Sequence, residues 1–166
     1  MYYVKFETTL QNSIYRTTNV LSYRFPRPAT FLYKPGQYFF VTIKHEGKEL
    51  THPFSFSSSP TEQGYIEFTK KLSDSAYTAA LRTMQTGDWA RIDGPYGQFT
   101  FEGEYQKIAL LGGGIGITPF RSIYRYAIDK DLKSQITRSM GVAHQPTSYL
   151  GKIGHRPNRT ATSKLF

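Results

Sequence analysis

The chain has 166 residues, a formal net charge of +9, 16% aromatic residues and no cysteine. This length is enough to bury a hydrophobic core. The lack of cysteine excludes disulfides, iron–sulfur ligation and thiolate zinc sites. The sequence shows no apolar N-terminal segment and no long hydrophobic run, so we expect no signal peptide, no membrane span and a cytoplasmic location.

The positive charge is unevenly distributed. All twelve acidic residues lie at or before Asp131, whereas residues 132–166 carry six basic residues and no acid. The rest of the chain is therefore close to balanced. A basic chain can indicate a nucleic-acid or anionic-membrane partner, but here the charge is weak evidence for either.

The first hundred residues predict a β-barrel. Aromatic and β-branched runs separated by turn residues indicate six strands, at Tyr3–Thr8, Ser13–Tyr23, Gln37–Lys44, Pro53–Ser58, Tyr65–Lys71 and Trp89–Asp93. One helix interrupts them: Asp74 or Ser75 caps its start, and its apolar stripe is Tyr77, Ala80, Leu81 and Met84. The predicted fold is therefore mainly β, a six-stranded antiparallel Greek-key barrel with one short helix.

A different pattern begins at Lys107. The apolar run Ile108–Leu111 leads into glycines at 112, 113, 114 and 116, and Pro119 then opens a segment with helical apolar spacing. This predicts a buried strand, a glycine turn and a helix. Free N–H groups and a positive dipole end at such a junction suit a pyrophosphate, although tight packing alone would also require glycines.

Four motifs follow one another along the chain: Lys34–Tyr38, Thr51–Pro60, Gly94–Phe99 and the glycine run. In this order they resemble the ferredoxin–NADP reductase family of flavoproteins. The resemblance covers roughly residues 1–135. It implies an FAD-binding barrel followed by a domain for NADH or NADPH, with hydride passing from the nicotinamide to the flavin and electrons then passing to an acceptor, either a small redox protein or a small molecule.

The resemblance also implies which residues hold the flavin. Phe54 lies against the flavin ring with Tyr38 as a second aromatic contact, and Ser55 is the catalytic residue because its hydroxyl bonds near flavin N5. The usual family motif is Arg-x-Tyr-Ser, but this chain has His52-Pro53-Phe54-Ser55, a version similar to the ferric-reductase and NADPH-oxidase branch. An imidazole in place of the guanidinium predicts weaker, pH-sensitive phosphate binding.

Three further segments carry over to the cofactors by the same resemblance. The strand at Phe68, Thr69 and Lys70 lines the ribityl and phosphate side through its backbone, and Lys70 adds a charge. The helix start at Ser75, Ala76, Tyr77 and Thr78 receives the pyrophosphate, with Ser75 in place of the family's glycine. The glycine turn contributes Gly113, Gly114, Gly116 and Thr118 to the nicotinamide nucleotide.

The expected domains are a flavin barrel at 1–103, the first β-α unit of a truncated α/β nucleotide domain at 104–137, and an irregular, disordered basic tail at 138–166. One strand and one helix cannot form a parallel sheet, and no strand–helix alternation follows Ile136. We therefore expect a truncated product whose last residues are out of frame, with FAD binding better preserved than nicotinamide oxidation.

Two alternatives remain open from the sequence. A non-catalytic flavin carrier would keep FAD after loss of the reductase half. A nucleic-acid-binding barrel would use its aromatics for stacking and its basic tail for phosphates, but it explains neither the glycine turn nor the His-Pro-Phe-Ser run. We therefore expect no nucleic acid and no metal among the ligands; the four histidines lack metal-ligand spacing.

Overall fold

The computed structural model describes residues 3–141 and 151–152. Within them the chain forms ten strands and two α-helices. The elements are β1 (Val4–Thr9), β2 (Asn12–Thr17), β3 (Val20–Pro26), β4 (Tyr38–His45), β5 (Lys48–Ser55), β6 (Tyr65–Lys71), α1 (Ala76–Thr83), β7 (Trp89–Tyr96), β8 (Lys107–Gly113), α2 (Thr118–Asp129), β9 (Gln135–Gly141) and β10 (Gly151–Lys152). No helix in this part of the chain is long and apolar enough to span a membrane.

The first seven strands form two antiparallel sheets that enclose one core. The sheet orders are β1-β7-β4-β5 and β2-β3-β6. Alternation along β4 sends Phe39, Val41 and Ile43 into the core, as expected when one face of a strand is buried. The core is rich in aromatic rings, among them Tyr23, Phe25, Phe56 and Phe68. The prediction of a mainly β, antiparallel barrel with one short helix is confirmed.

The barrel has seven strands where six were predicted. The stretch Ser13–Tyr23 is two strands, β2 and β3, which pair antiparallel with a register shift between Tyr15 and Thr17. Asn19 turns the chain between them, with its backbone N–H 3.4 Å from the Thr17 hydroxyl. This turn contains neither glycine nor proline, so no strong turn signal separates β2 from β3 in the sequence. The strand expected at Pro53–Ser58 lies earlier, at Lys48–Ser55.

A smaller lobe follows the barrel and contains a complete β-α-β unit. β8 leads through a 3-10 turn at Gly114–Ile117 into α2, and β9 then pairs parallel with β8. The expectation of a lone strand was therefore wrong. β9 was missed because only Ile136 is buried in its first half and the residues around it are polar.

The expected boundary at 137/138 falls inside β9. Residues 138–141 complete that strand, and β10 pairs antiparallel with it, so the tail predicted to be irregular contributes to a sheet at these positions. The rest of the predicted tail, 142–150 and 153–166, lies outside the described residues.

Gly36 lies where the barrel meets the smaller lobe. Its φ is +99°, and a Cβ at this position would lie 2.2 Å from the Phe99 carbonyl oxygen and 3.2 Å from Cδ1 of Ile123 in α2. Only glycine meets both conditions without strain. The Lys34–Tyr38 motif thus contains the residue that allows α2 and the 99–101 segment to pack closely on the barrel.

Candidate functional site

The candidate site lies between the edge strands of the two barrel sheets, which face each other across an opening. β5 and β6 are edge strands of their sheets, and they run close together. The Phe56 N–H donates to the Gln37 carbonyl (3.0 Å) on the β4 side. Successive residues of a strand direct their backbone N–H and C=O groups to opposite sides. The backbone groups of Pro53 and Ser55 therefore point away from β4, into this open edge. Pro53 is tolerated because its missing N–H faces no ladder partner.

The opposite side of the edge is lined by β6. The Glu67 carbonyl accepts from Ser57 N–H (2.8 Å), so the backbone of Glu67 faces β5 and not β3. By the same alternation the Thr69 backbone also faces the open edge. The side chains of Phe68 and Thr69 are buried, and the same alternation turns the Phe68 backbone toward β3, so only Thr69 of the two presents its backbone to the open edge.

The predicted ring contacts fall on two faces of β5. His52 and Phe54 share one face, with ring centroids 5.0 Å apart. Ser55 lies on the other face, directly across the ladder from Tyr38. The structure therefore does not gather all four side chains into one wall. It places them around the end of an edge strand, which a flat ligand could contact from both sides.

The inner face holds an aromatic cluster that is already stacked. Phe54 lies 4.0 Å from Phe68 at an interplanar angle of 14°, and 5.6 Å from Tyr77. The Tyr77 hydroxyl donates to the Val41 carbonyl (3.0 Å), and burial raises the Tyr77 pKa far above its ordinary range. Lys70 approaches Phe54 with its Nζ 6.0 Å from the ring centroid. Partial burial lowers the pKa of Lys70.

The outer face is formed by Tyr38, Tyr96 and Ser55. The Tyr38 and Tyr96 rings stack with centroids 5.7 Å apart. Gly97, with φ +94°, leaves room for this ring, since a Cβ there would lie 3.0 Å from Tyr38 Cδ1. The half-buried Ser55 hydroxyl makes no hydrogen bond to another described residue. It is therefore available to a ligand at the open edge.

His52 is exposed and oriented by its own backbone neighbour. Its Nδ1 lies 3.0 Å from the Pro53 carbonyl oxygen, so Nδ1 carries a proton and donates to that oxygen. Nε2 is then the nitrogen left for a ligand, and it becomes a donor only when the ring is protonated. The Tyr77 ring lies 5.4 Å from His52, which places the imidazole beside the start of α1.

The start of α1 has an ordered cap. Ser75 is the N-cap in ordinary extended conformation (φ −84°, ψ 153°), and its hydroxyl accepts from Thr78 N–H at 3.2 Å. The family's glycine is therefore not needed here. Thr78 is fully buried, and its hydroxyl lies 3.1 Å from the Ser73 hydroxyl and 3.0 Å from that of Ser75. The cap leaves the first two helical N–H groups, at Ala76 and Tyr77, without an intrahelical partner.

The glycine turn is a second potential anion site. Gly113, Gly114 and Gly116 are exposed, and Thr118 is buried at the first position of α2. Gly114 has φ +53°, and Gly112 would place a Cβ 2.6 Å from the Phe120 ring, so the run combines a left-handed turn with close packing. The 3-10 turn also contacts β6. The two predicted binding regions are therefore neighbours.

One ion pair at the meeting of the lobes was missed by sequence reasoning. Arg121 in α2 makes a two-pronged contact with Glu62, with Nη2 2.9 Å from Oε1 and Nη1 on Oε2, and Nη1 also donates to the Ser57 carbonyl (2.7 Å). Burial opposes ionisation of Glu62, but hydrogen bonds from Arg121, Ser59 N–H and Tyr65 outweigh it and lower its pKa to about 2. The two charges are 59 residues apart in the sequence, so no local pattern connects them.

Comparison with known proteins identifies a family for the barrel. The family profile described as "Oxidoreductase FAD-binding domain" matches residues 5–101, which is the barrel. The reductase component of propane 2-monooxygenase from Mycolicibacterium goodii is 34% identical over 116 residues, covering 67% of this chain and 33% of that protein. The gamma subunit of sulfhydrogenase 1 from Pyrococcus furiosus is 31% identical over 126 residues, covering 73% and 42% respectively. The chain thus spans less than half the length of these relatives.

A solved structure shows the same fold. The ferredoxin NADP+ reductase of Neisseria gonorrhoeae, determined with bound FAD and NADP, matches with a TM-score of 0.68 at 20% identity, over 82% of this chain and 56% of that one. The profile match, which covers more than half of the residues, shows the family. The chain therefore belongs to the oxidoreductase FAD-binding domain family, and its fold is that of a ferredoxin NADP+ reductase.

Proposed function

We propose that this chain binds FAD at the open edge between β5 and β6 and takes part in electron transfer from NADH or NADPH to an acceptor. The observation that carries the proposal is the Ser55 hydroxyl, which has no partner among the described residues and lies beside backbone groups aimed at the same edge. Such groups commonly fix a flat cofactor by hydrogen bonds along its rim. The acceptor is proposed as a small redox protein or a small molecule.

The aromatic residues would hold the flavin ring. Tyr38 and Tyr96 already stack on one face of the strand end, and Phe54 is braced by Phe68 on the other. Braced rings lose little freedom when a ligand covers them, so the site is preorganised. The chemistry that FAD would supply when bound is to accept a hydride and to pass its two electrons on. The role of Ser55 is to donate a hydrogen bond at the edge where that hydride arrives.

The phosphates would lie between His52 and the start of α1. The N–H groups of Ala76 and Tyr77 and the positive end of the helix dipole favour an anion there. His52 lies beside Tyr77, and its Nε2 can donate to a phosphate when protonated. Lys70 adds a second cation near Phe54. The fully buried Thr78 hydroxyl would act through its hydrogen bonds to Ser73 and Ser75.

The nicotinamide nucleotide would bind at the glycine turn. Gly113, Gly114 and Gly116 leave the backbone open to a pyrophosphate, and α2 begins without a side-chain cap. The contact between the 3-10 turn and β6 places this turn next to the proposed flavin edge. The expected cytoplasmic location stays a prediction.

The proposal is tested by adding FAD to purified flavin-free protein and following flavin fluorescence and absorbance, then adding NADH or NADPH without oxygen. We expect saturable 1:1 binding and bleaching of the flavin absorbance. A Phe54→Ala variant should weaken FAD binding, whereas Tyr15→Ala, which changes an exposed aromatic on β2, should not. Absence of FAD binding would refute the proposal, and binding without bleaching would leave only the flavin-carrier function.

A further inference from the structure

The ion pair between Arg121 and Glu62 connects the two proposed binding elements. Arg121 lies one helical turn after Thr118, the last residue assigned to the nucleotide turn. The Ser57 carbonyl that it bonds is two residues after Ser55. A single guanidinium therefore joins the helix that carries the nucleotide turn to the strand end assigned to the flavin.

The barrel side of this connection is held rigidly. Ser57, Ser58 and Ser59 are fully buried. The Ser57 hydroxyl donates to Glu67 (2.9 Å), whose carboxylate also binds Arg16 (2.9 Å) and Arg24 (2.7 Å). Phe56 is stacked between Phe39 (4.2 Å) and Tyr33 (3.9 Å). Because this segment has little freedom to move, α2 could be displaced only by breaking its contact with the Ser57 carbonyl.

The pair itself has few alternative partners. The side chains of Arg121 and Glu62 are 18% and 14% exposed, and Glu62 also accepts from Ser59 N–H (2.7 Å) and Tyr65 (2.8 Å). A bidentate guanidinium–carboxylate pair fixes orientation as well as distance. The other polar contact from the same helix, Thr61 to Asp129 at 2.5 Å, is exposed and is shared with Arg125. Solvent therefore competes more strongly with that exposed contact than with the partly buried pair.

We propose that Arg121, held by Glu62, is a positioning residue that sets the glycine turn against the flavin edge for hydride transfer. This inference rests on the proposed function. Hydride transfer needs the donor and acceptor atoms about 3–3.5 Å apart, and a displacement of about 1 Å can cost about 100-fold in rate. Arg121 does not touch the reacting atoms, so its removal should slow transfer and leave FAD affinity intact.

The test compares the full chain with Arg121→Met, Arg121→Lys and the control Arg125→Met, which removes a 52%-exposed arginine one turn further along α2. FAD affinity is measured by fluorescence titration, and the limiting rate of flavin reduction by anaerobic stopped flow at saturating nucleotide. We expect Arg121→Met to reduce that rate about 10- to 100-fold with FAD affinity unchanged within about twofold. Arg121→Lys, which keeps the charge but not the fork, should fall between, and Arg125→Met should match the wild type.

A second readout does not need turnover. Hydrogen exchange of the Gly112–Phe120 backbone is measured with and without FAD; we expect FAD to slow it in the wild type and in Arg125→Met, but not in Arg121→Met. If Arg121→Met loses FAD affinity as much as rate, or if FAD still slows exchange at the turn, the pair is only structural and the inference is overturned. Failure of the wild type to bind FAD refutes the proposed function instead. If Arg121→Met does not fold, the same comparisons are made with Arg121→Lys.

Discussion

Substitution of Gly36 by alanine should destabilise the protein through two separable effects. The first is conformational: at φ +99° an L-residue is strained, at a cost of about 1–2 kcal/mol. The second is steric, because the new Cβ would lie 2.2 Å from the Phe99 carbonyl oxygen, and a backbone atom cannot rotate away as a side chain does. Overpacking of this kind costs about 1–3 kcal/mol, so the total is about 2–5 kcal/mol.

Gly87 is a matched control for the conformational effect alone. Its φ is +97°, nearly that of Gly36, but a Cβ there would have no neighbour within 4 Å. Gly87→Ala should therefore cost only the first contribution, about 1–2 kcal/mol. The difference between the two variants isolates the contact of the 99–101 segment and α2 with the barrel.

Urea unfolding followed by the fluorescence of Trp89, the single tryptophan, measures both variants. With a dependence on urea of about 1–3 kcal/mol per molar, the Gly36→Ala midpoint should lie about 1 M below that of Gly87→Ala. Equal midpoints would refute the reasoning, because they would mean that the Phe99 carbonyl moves away at no cost. A change in slope with no change in midpoint would count against it as well.

Three further predictions concern the site. Ser55→Ala should leave FAD bound but slow its reduction by about tenfold or more, measured by stopped flow; an unchanged rate would contradict the role of the hydroxyl. His52→Arg should bind FAD more tightly in fluorescence titrations, because a guanidinium is always charged and can form two parallel hydrogen bonds to a phosphate; unchanged affinity would mean that the N–H groups at the start of α1 hold the phosphates without this side chain. The pKa of Glu62 is lowered to about 2 in the folded chain, so its contribution to stability is complete above about pH 4.5 and is lost as the pH falls toward 2. That contribution is at most about 3 kcal/mol, and Glu62→Gln should flatten this part of the acid-unfolding curve, while Glu49→Gln, which alters an exposed pair, should not.

The sequence predicted those elements whose signals are local. The Ser75 cap of α1 and the start of α2 next to Pro119 depend on spacings of three or four residues and are confirmed. Of the predicted α1 stripe, Tyr77, Ala80 and Leu81 are buried in the helix, whereas Met84 lies just after it as the C-cap. β9 was not predicted, since its buried residue Ile136 shares a core cluster with Leu110 of β8 and Ile123 of α2, which lie elsewhere in the sequence. Ile136 is the one buried residue within 135–139, so this stretch has no alternating apolar pattern to read.

The candidate site was only partly predictable, because part of it depends on contacts between residues far apart in the sequence. Alternation along β5 correctly placed His52 and Phe54 on one face, because adjacent residues in a strand always alternate. The same rule places Ser55, and Tyr38 across the ladder from it, on the opposite face. The position of both faces beside an open edge depends instead on how the two sheets meet. The contact of Arg121 with Glu62 depends on the packing of α2 against the barrel, which no short-range pattern encodes.

The pairing of β1 with β7 has a consequence for the order in which the chain folds. Val4 lies opposite Gly94, and Thr9 opposite Trp89, so the first strand must wait for residues some eighty to ninety positions later. The β8-α2-β9 unit joins strands separated by a single helix and forms from nearby residues. Contacts between distant residues form slowly because a long loop must close first. On the ribosome, β1 therefore remains without its ladder partner until most of the barrel has been synthesised, and Trp89, opposite Thr9, is the first residue of β7 to become available for that pairing.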